Sequence, residues 1–203
     1  MPTITFFNLP PPKREKLLRA AVAEFARKPC GEVSINRIIQ AAEIPRGSFY
    51  QYFADKSDLF RHVLRCYDRQ LEDAFRLGLE RCGGKPLDLP LALYDLVLSY
   101  IQERRDEFSL FLGILRQNVG MDAGQLLSLS DMMALVLTAA DWSGLALDGV
   151  DERMALLDLL ISAAGQALMA ACCGKLEPRE SRRRLALKIA LIRRGLEPEE
   201  PSK

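Results

Sequence analysis

The stretch Ser34-Ile35-Asn36-Arg37-Ile38-Ile39-Gln40-Ala41-Ala42, Glu43-Ile44-Pro45, Arg46-Gly47-Ser48-Phe49-Tyr50-Gln51-Tyr52-Phe53 decides how this chain folds. Ser34 is a good N-cap, and Ile35, Ile38 and Ile39 then recur at helical spacing toward Ala41 and Ala42. Pro45 forces a break. It pushes Ile44 out of the helical region, while its own fixed ring suits the first turn of a new helix. That next helix, Arg46 to Phe53, carries Phe49 and Phe53 four apart on one face, and Arg46, Ser48, Tyr50, Gln51 and Tyr52 read as its exposed polar groups.

Working outward, helices account for nearly everything. Residues 1–12, with Phe6, Phe7 and Pro10-Pro11-Pro12, read as an N-terminal arm. From Lys13, the apolar Leu17, Leu18, Ala21, Val22 and Phe25 recur at three and four until Pro29 and Gly31 close the helix. A fourth helix starts at Asp55, where Asp55 and Asp58 can exchange capping bonds, and runs through Leu59, Val63, Tyr67, Leu71 and Phe75 to Cys82. Such a helix, about 42 Å long at ~1.5 Å per residue, can join two domains. Gly83-Gly84-Lys85-Pro86 marks a break. Beyond it the pattern predicts helices over Leu87 to Arg105, Glu107 to Asn118, Ala123 to Ala140, Asp151 to Cys173 and Pro178 to Arg194, the last with Gly195 just past its end. Strand signals are scarce, so the fold class is all-α. The divisions are 1–12 arm, 13–54 three-helix module, 55–82 connecting helix, 83–196 helical body and 197–203 tail.

Charge separates the two parts more clearly than hydropathy does. With 49% hydrophobic and 27% charged residues the chain can bury a core, which excludes a disordered or disulfide-scaffold protein. Its net charge of +1 conceals an asymmetry. Residues 1–70 hold 12 Lys/Arg against 7 Asp/Glu, a net +5, whereas the remainder holds 16 against 20, a net −4. Two short helices joined by a tight turn, preceded by a packing helix and set in a basic segment, form the pattern of a helix-turn-helix DNA reader. Arg46 and Gln51 have the donors and acceptors to read guanine or adenine edges, and Ser48 can read either. Ser34, Tyr50, Tyr52 and Lys56 suit phosphate contacts.

These residues resemble a known family. The run Ser34-Ile35-x-x-Ile38, then Ala42-Glu43-Ile44-Pro45-Arg46-Gly47-Ser48-Phe49-Tyr50-Gln51-Tyr52-Phe53-Ala54-Asp55-Lys56-Ser57-Asp58-Leu59, looks like the tetracycline-repressor (TetR) family of bacterial regulators over residues 13–62. The resemblance implies about nine helices: an N-terminal three-helix DNA-binding domain, a connecting fourth helix, and a C-terminal ligand-binding and dimerisation domain. It implies that Gly47 stands near the start of the recognition helix, that Tyr50 and Tyr52 touch DNA, and that Lys56 grips a phosphate. It also implies a double-stranded DNA operator and a second copy of the chain as partners, the copies pairing through residues 151–196. Two positions depart from the family pattern. Glu43 stands where glycine is frequent, so a left-handed turn there is strained, and Ile39 is bulkier than the usual alanine, which bears on how the two helices cross.

Other features are weighed against plainer readings. The single His62 reads as an ordinary helix-face histidine, and no metal site, cofactor or catalytic triad is expected around it. The odd set of five cysteines, without a CxxC pair, fits a reducing cytoplasm. Adjacent Cys172 and Cys173 read as buried small hydrophobes, with a thiol sensor as the sharper alternative. Met154 to Cys173, which holds one charge at Asp158, reads as a helix buried nearly all round by protein rather than as a membrane span. Arg182-Arg183-Arg184 reads as a solvated face or a set of intersubunit ion pairs. In the body, Tyr100, Phe111 and Trp142 are candidates to line a pocket for an apolar or aromatic effector. The expected function is a homodimeric ligand-responsive repressor. The alternative is an orphan DNA-binding dimer with no small-molecule ligand, and an enzyme has no support in these residues.

Overall fold

The computed structural model describes residues 1–118 and 129–196, and every regular element among them is helical. Ten α-helices are described: α1 Ile4–Phe7, α2 Pro11–Phe25, α3 Ile35–Ala42, α4 Arg46–Tyr52, α5 Lys56–Arg81, α6 Leu89–Glu103, α7 Arg105–Gln117, α8 Leu129–Ala139, α9 Val150–Cys172 and α10 Pro178–Leu196. A 3₁₀ turn at Cys30–Glu32 joins α2 to α3. The expected tail 197–203 and the start of the expected Ala123 to Ala140 helix lie outside the described residues.

These helices form two compact units. One gathers Met1–Gln70 with α7, and the other gathers Leu71–Glu103 with the helices from Leu129 onward. Two sequence expectations change here. Residues 1–12 are not a free arm, because Ile4–Phe7 make a helical turn that buries Phe6 completely and α2 already begins at Pro11. Nor is 83–196 one body, because α7 packs on α2 within the N-terminal unit. Helical periodicity marked α7 as a helix but could not say which core its apolar stripe would join.

The core of the N-terminal unit is built on aromatic rings. Phe6, Leu17, Phe25, Ile38, Phe49, Phe53, Leu59 and Ile114 are fully buried in one cluster. Phe25 packs on Phe60 with centroids 4.8 Å apart, and Phe6 on Phe53 at the same 4.8 Å. His62 is buried among them, edge-on to Phe6 at 5.1 Å, so the lone histidine is part of the core rather than of an open helix face. The start of α5 is capped as the sequence suggests: the Asp55 side chain accepts the Asp58 N–H at 2.7 Å, and Asp58 accepts the Ala54 N–H at 3.3 Å. α7 is fastened by its C-terminal end. Buried Asn118 accepts the Cys30 N–H at 3.1 Å and donates to the Ile114 carbonyl at 2.8 Å. One turn earlier, Gly113 lets α7 approach the end of α2 so closely that a Cβ would lie 2.9 Å from both the Ala26 carbonyl oxygen and its Cβ.

The second unit packs α6, α8, α9 and α10 around Phe75, Tyr94, Met132, Val136, Trp142, Leu157, Leu160, Leu185 and Ile189. Three buried polar side chains in it find backbone partners. The Tyr94 hydroxyl donates to the Pro178 carbonyl at 2.8 Å, the Ser181 hydroxyl to the Ala167 carbonyl at 2.7 Å, and the Trp142 indole N–H to the Leu137 carbonyl at 3.1 Å. The basic run is used within the chain: Arg182 clamps Asp95 through two bonds of 2.7 Å, and Arg183 and Arg184 both bind Glu180, holding its carboxyl down to about 2. α10 continues through Gly195, so that glycine is helical rather than a terminator. α9 is long and apolar enough to cross a membrane by length and composition, yet only 33% of its most apolar window is buried, so it is not enclosed all round. Cys173, at its C-terminal end, is exposed, and Cys172 is partly buried.

Two measurements check the N-terminal core. Gly113→Ala is expected to lower unfolding free energy by about 1–3 kcal/mol in urea denaturation, because backbone of α2 cannot yield to the added methyl; an unchanged midpoint would contradict the close α2–α7 approach. The His62 pKa is pushed below its ordinary value first by burial and then by Arg65 and Arg69, with Asp58 opposing and Arg14 adding. The folded state therefore disfavours the imidazolium. Its contribution is intact above the unfolded pKa of about 6.5 and is lost as pH falls below that value. Melting temperature should drop more between pH 7 and pH 5 in the native chain than in His62→Gln, and parallel pH profiles would refute this.

Candidate DNA-reading helix-turn-helix

The turn between α3 and α4 is set by local hydrogen bonding. After Ala42 the chain turns left-handed at Glu43 (φ 54°), the one non-glycine residue with positive φ among the described residues. The Glu43 N–H reaches the Gln40 carbonyl at 3.2 Å and the Ile44 N–H reaches the Ile39 carbonyl at 3.0 Å, which is the bond pair of a Schellman closure. Such closures favour glycine, whose lack of a Cβ removes the clash a side chain meets there. Here the exposed Glu43 carboxylate instead pairs with Lys16 at 2.5 Å, which lowers its pKa through that hydrogen bond and charge. The closure is completed by apolar contact. Ile39 is buried and Ile44 packs on the same core, so the bulky Ile39 belongs to the turn.

α4 then presents two faces. Phe49 and Tyr52, with Phe53 just beyond the helix, are buried, whereas Arg46, Gly47, Tyr50 and Gln51 are exposed and Ser48 is intermediate. The contrast between the tyrosines is sharp: Tyr50 is 52% exposed and stands edge-on to Phe49 at 5.3 Å, while Tyr52 is 8% exposed and lies against Phe6 at 6.5 Å. Tyr52 is therefore not one of the exposed polar groups the sequence suggested. Its phenol suggests a wet position, but the spacing Phe49, Tyr52, Phe53 is that of a buried stripe. Gly47 has open space where a Cβ would stand, which leaves the helix backbone itself approachable.

Two further expected residues do unexpected work. Ser34 occupies the N-cap position of α3 but makes no side-chain cap bond; its carbonyl accepts the Arg37 and Ile38 N–H groups at 3.1 and 3.3 Å. The Lys56 ammonium, at the start of α5, donates to the Gly31 carbonyl and lies 3.5 Å from the Val33 carbonyl. It ties α5 to the segment that introduces α3. An ammonium has three donors, so one N–H remains for an anion.

The three body residues expected at a pocket fall in different units. Phe111 belongs to α7 in the N-terminal unit, stacked on Tyr67 at 4.5 Å, whereas Tyr100 on α6 and Trp142 belong to the second unit. Trp142 is buried beneath the Arg153 guanidinium, which lies 5.6 Å from the ring centroid. A small apolar cavity of about 10 Å³ in that unit is lined by Pro86, Leu89, Pro90, Leu93, Leu157, Leu160 and Ile161 and includes none of the three. Among the described residues no three His, Cys, Asp or Glu side chains cluster as a metal site.

Comparison with known proteins agrees with this geometry. Residues 17–63 match the family model described as bacterial regulatory proteins, tetR family. The chain is 30% identical over 116 residues to the transcriptional regulator AcuR of Cereibacter sphaeroides; the match covers 55% of this chain and about half, 49%, of that protein. Among solved structures, a TetR family transcriptional regulator from Chloroflexus aurantiacus aligns with TM-score 0.58 and 24% identity, covering 98% of this chain and 100% of the other. A TetR-family transcriptional regulator from Streptomyces coelicolor aligns with TM-score 0.62 and 19% identity, covering 92% and 96%. Residues 17–63 are thus similar to the bacterial regulatory proteins of the tetR family, and the described helices follow the fold of these solved structures.

Proposed function

We propose that the chain is a sequence-specific DNA-binding transcription regulator of the cytoplasm, acting as a homodimeric, ligand-responsive repressor on a palindromic operator. The observation that carries this reading is the outer face of α4, where Arg46, Gly47, Tyr50 and Gln51 are exposed on a helix whose opposite face is locked into an aromatic core. Arg46 and Gln51 read base edges in the major groove, and Ser48 assists. Tyr50, Lys56 and the Ser34 hydroxyl contact phosphates, and Gly47 lets the DNA backbone approach. Tyr52 supports this face from beneath.

Pairing with a second copy is supported by the surface of α9 and α10. Leu159, Met169, Leu187 and Leu191 are exposed there, Leu191 at 66%, and Gly165 leaves open space for a facing helix. Two copies joined through residues 151–196 place their α4 helices in successive major grooves, about 34 Å apart. An effector bound in the second unit weakens DNA binding if it favours a state whose α4 spacing no longer matches the operator. Tyr100 and Trp142 are the candidate contacts in that unit, with Phe111 the candidate in the other, and apolar or aromatic molecules suit them. A second reading keeps the DNA-binding dimer and has no small-molecule ligand: an orphan regulator.

Selection of bound fragments from random DNA, repeated with candidate ligands, tests both readings. A palindromic consensus released by a ligand supports the repressor, a consensus that no ligand releases supports the orphan, and no enriched sequence defeats both. On the selected site, Arg46→Ala and Gln51→Ala are expected to erase preference at single base pairs by about 1–3 kcal/mol. Tyr50→Ala should weaken every sequence evenly, and Lys56→Ala should shrink the salt slope by about 1; equal loss of specificity in all four would undo this division of roles. Sedimentation should report a dimer for the native chain and a monomer for Leu159→Glu with Leu191→Glu, and a native monomer at micromolar concentration would contradict the pairing.

A further inference from the structure

α4 ends without a local cap. The residue after it, Phe53, is extended (φ −134°, ψ 140°), so the left-handed closure that ends α3 is missing here. The last four carbonyls of a helix have no donors within it. The Phe53 N–H serves the Phe49 carbonyl at 2.9 Å, and the next donors come from far away in sequence. The Thr3 N–H donates to the Tyr52 carbonyl at 3.0 Å, and the Thr3 hydroxyl donates to the Gln51 carbonyl at 2.5 Å. Phe6 fixes where Thr3 stands, because its fully buried ring is wedged between Phe53, Tyr52 and His62.

From this geometry we infer that Thr3 is a positioning residue for base reading by Gln51. The inference rests on the reading of α4 as the helix that enters DNA. A glutamine discriminates a base by two simultaneous hydrogen bonds from its amide, and that geometry is only as good as the backbone from which the side chain projects. Gln51 sits one residue before the end of a seven-residue helix, where fraying is greatest. The Thr3 hydroxyl holds the carbonyl of that same residue. Because the bond is exposed to water, its removal alters the net stability of the chain little while freeing the helix end to move. The segment before α2 is thereby part of the recognition element.

The test measures operator affinity for the native chain, Thr3→Val and Thr3→Ser, using the selected operator and versions carrying each other base pair at every position. The position assigned to Gln51 is the one whose preference disappears in Gln51→Ala. Thr3→Val, nearly isosteric but without a hydroxyl, is expected to lose about twofold to tenfold of discrimination at that position, with other positions unaffected. Thr3→Ser should retain it, and melting temperatures of all three should agree within about 2 °C. Native discrimination in Thr3→Val overturns the inference. So does equal loss in Thr3→Val and Thr3→Ser, which would assign the effect to the methyl group, or an even loss at all positions that follows a fall in melting temperature. A native chain that selects no sequence overturns the DNA reading itself, and the inference falls with it.

Discussion

A helix of seven residues has no stability of its own in water, and α4 is such a helix. The N-terminal unit is organised around that constraint. Phe49, Tyr52 and Phe53 sink one side of the segment among Phe6, His62 and the rest of the aromatic core. Burial of each large side chain contributes roughly 1.5–3 kcal/mol, so side-chain packing rather than helical propensity is the main support of this short helix. The Glu43 closure fixes the entry to α4, and Pro45 stands extended at its N-cap, its carbonyl accepting the Ser48 N–H at 3.0 Å. The residues left outside, Arg46, Gly47, Tyr50 and Gln51, are exposed because the others are not.

Much of this was legible in the residues. The break at Pro45, the capping pair Asp55 and Asp58, and the buried Phe49 and Phe53 follow from proline geometry and helical period, and the structure has each of them. What the sequence hid is of one kind: contacts between segments remote along the chain. Nothing local in Thr3-Ile4-Thr5-Phe6 announces that Phe6 closes a core, and nothing local in α7 announces that Gly113 and Asn118 meet Ala26 and Cys30. Periodicity reports that a face is apolar without saying what lies against it. Tyr52 differs: it follows Phe49 by three and adjoins Phe53, so helical spacing itself places it on the buried stripe despite its hydroxyl.

The second unit shows the limit from the other side. Met154 to Cys173 is apolar enough to suggest complete enclosure, but composition cannot separate surface buried within a chain from surface reserved for another molecule. Ala155, Leu159, Ser162, Gly165 and Met169 follow one another at three and four along α9, and all are exposed. Leu187 and Leu191 form a similar pair on α10. The same small residues that permit close helix approach inside a core permit it between copies. Arg182, Arg183 and Arg184 look like a second basic patch until their partners are seen. Once Asp95 and Glu180 are counted, little of that charge faces outward unpaired.

Charged residues of the helix-turn-helix divide in the same way, and the division narrows which of them can carry sequence information. Glu43 pairs with Lys16, and Lys56 is engaged by carbonyls that hold α5 to the start of α3. Both are fixed by the fold before any DNA is present. A side chain committed to the fold can add charge to an interface, but it cannot rearrange to read one base in preference to another. Arg46 and Gln51 carry no such commitment in their side chains, since no ion pair or cap draws on them among the described residues. Under the proposed DNA reading, sequence preference falls to the uncommitted polar side chains of the exposed arc of α4, whereas the net +5 charge of the basic segment supplies a general attraction.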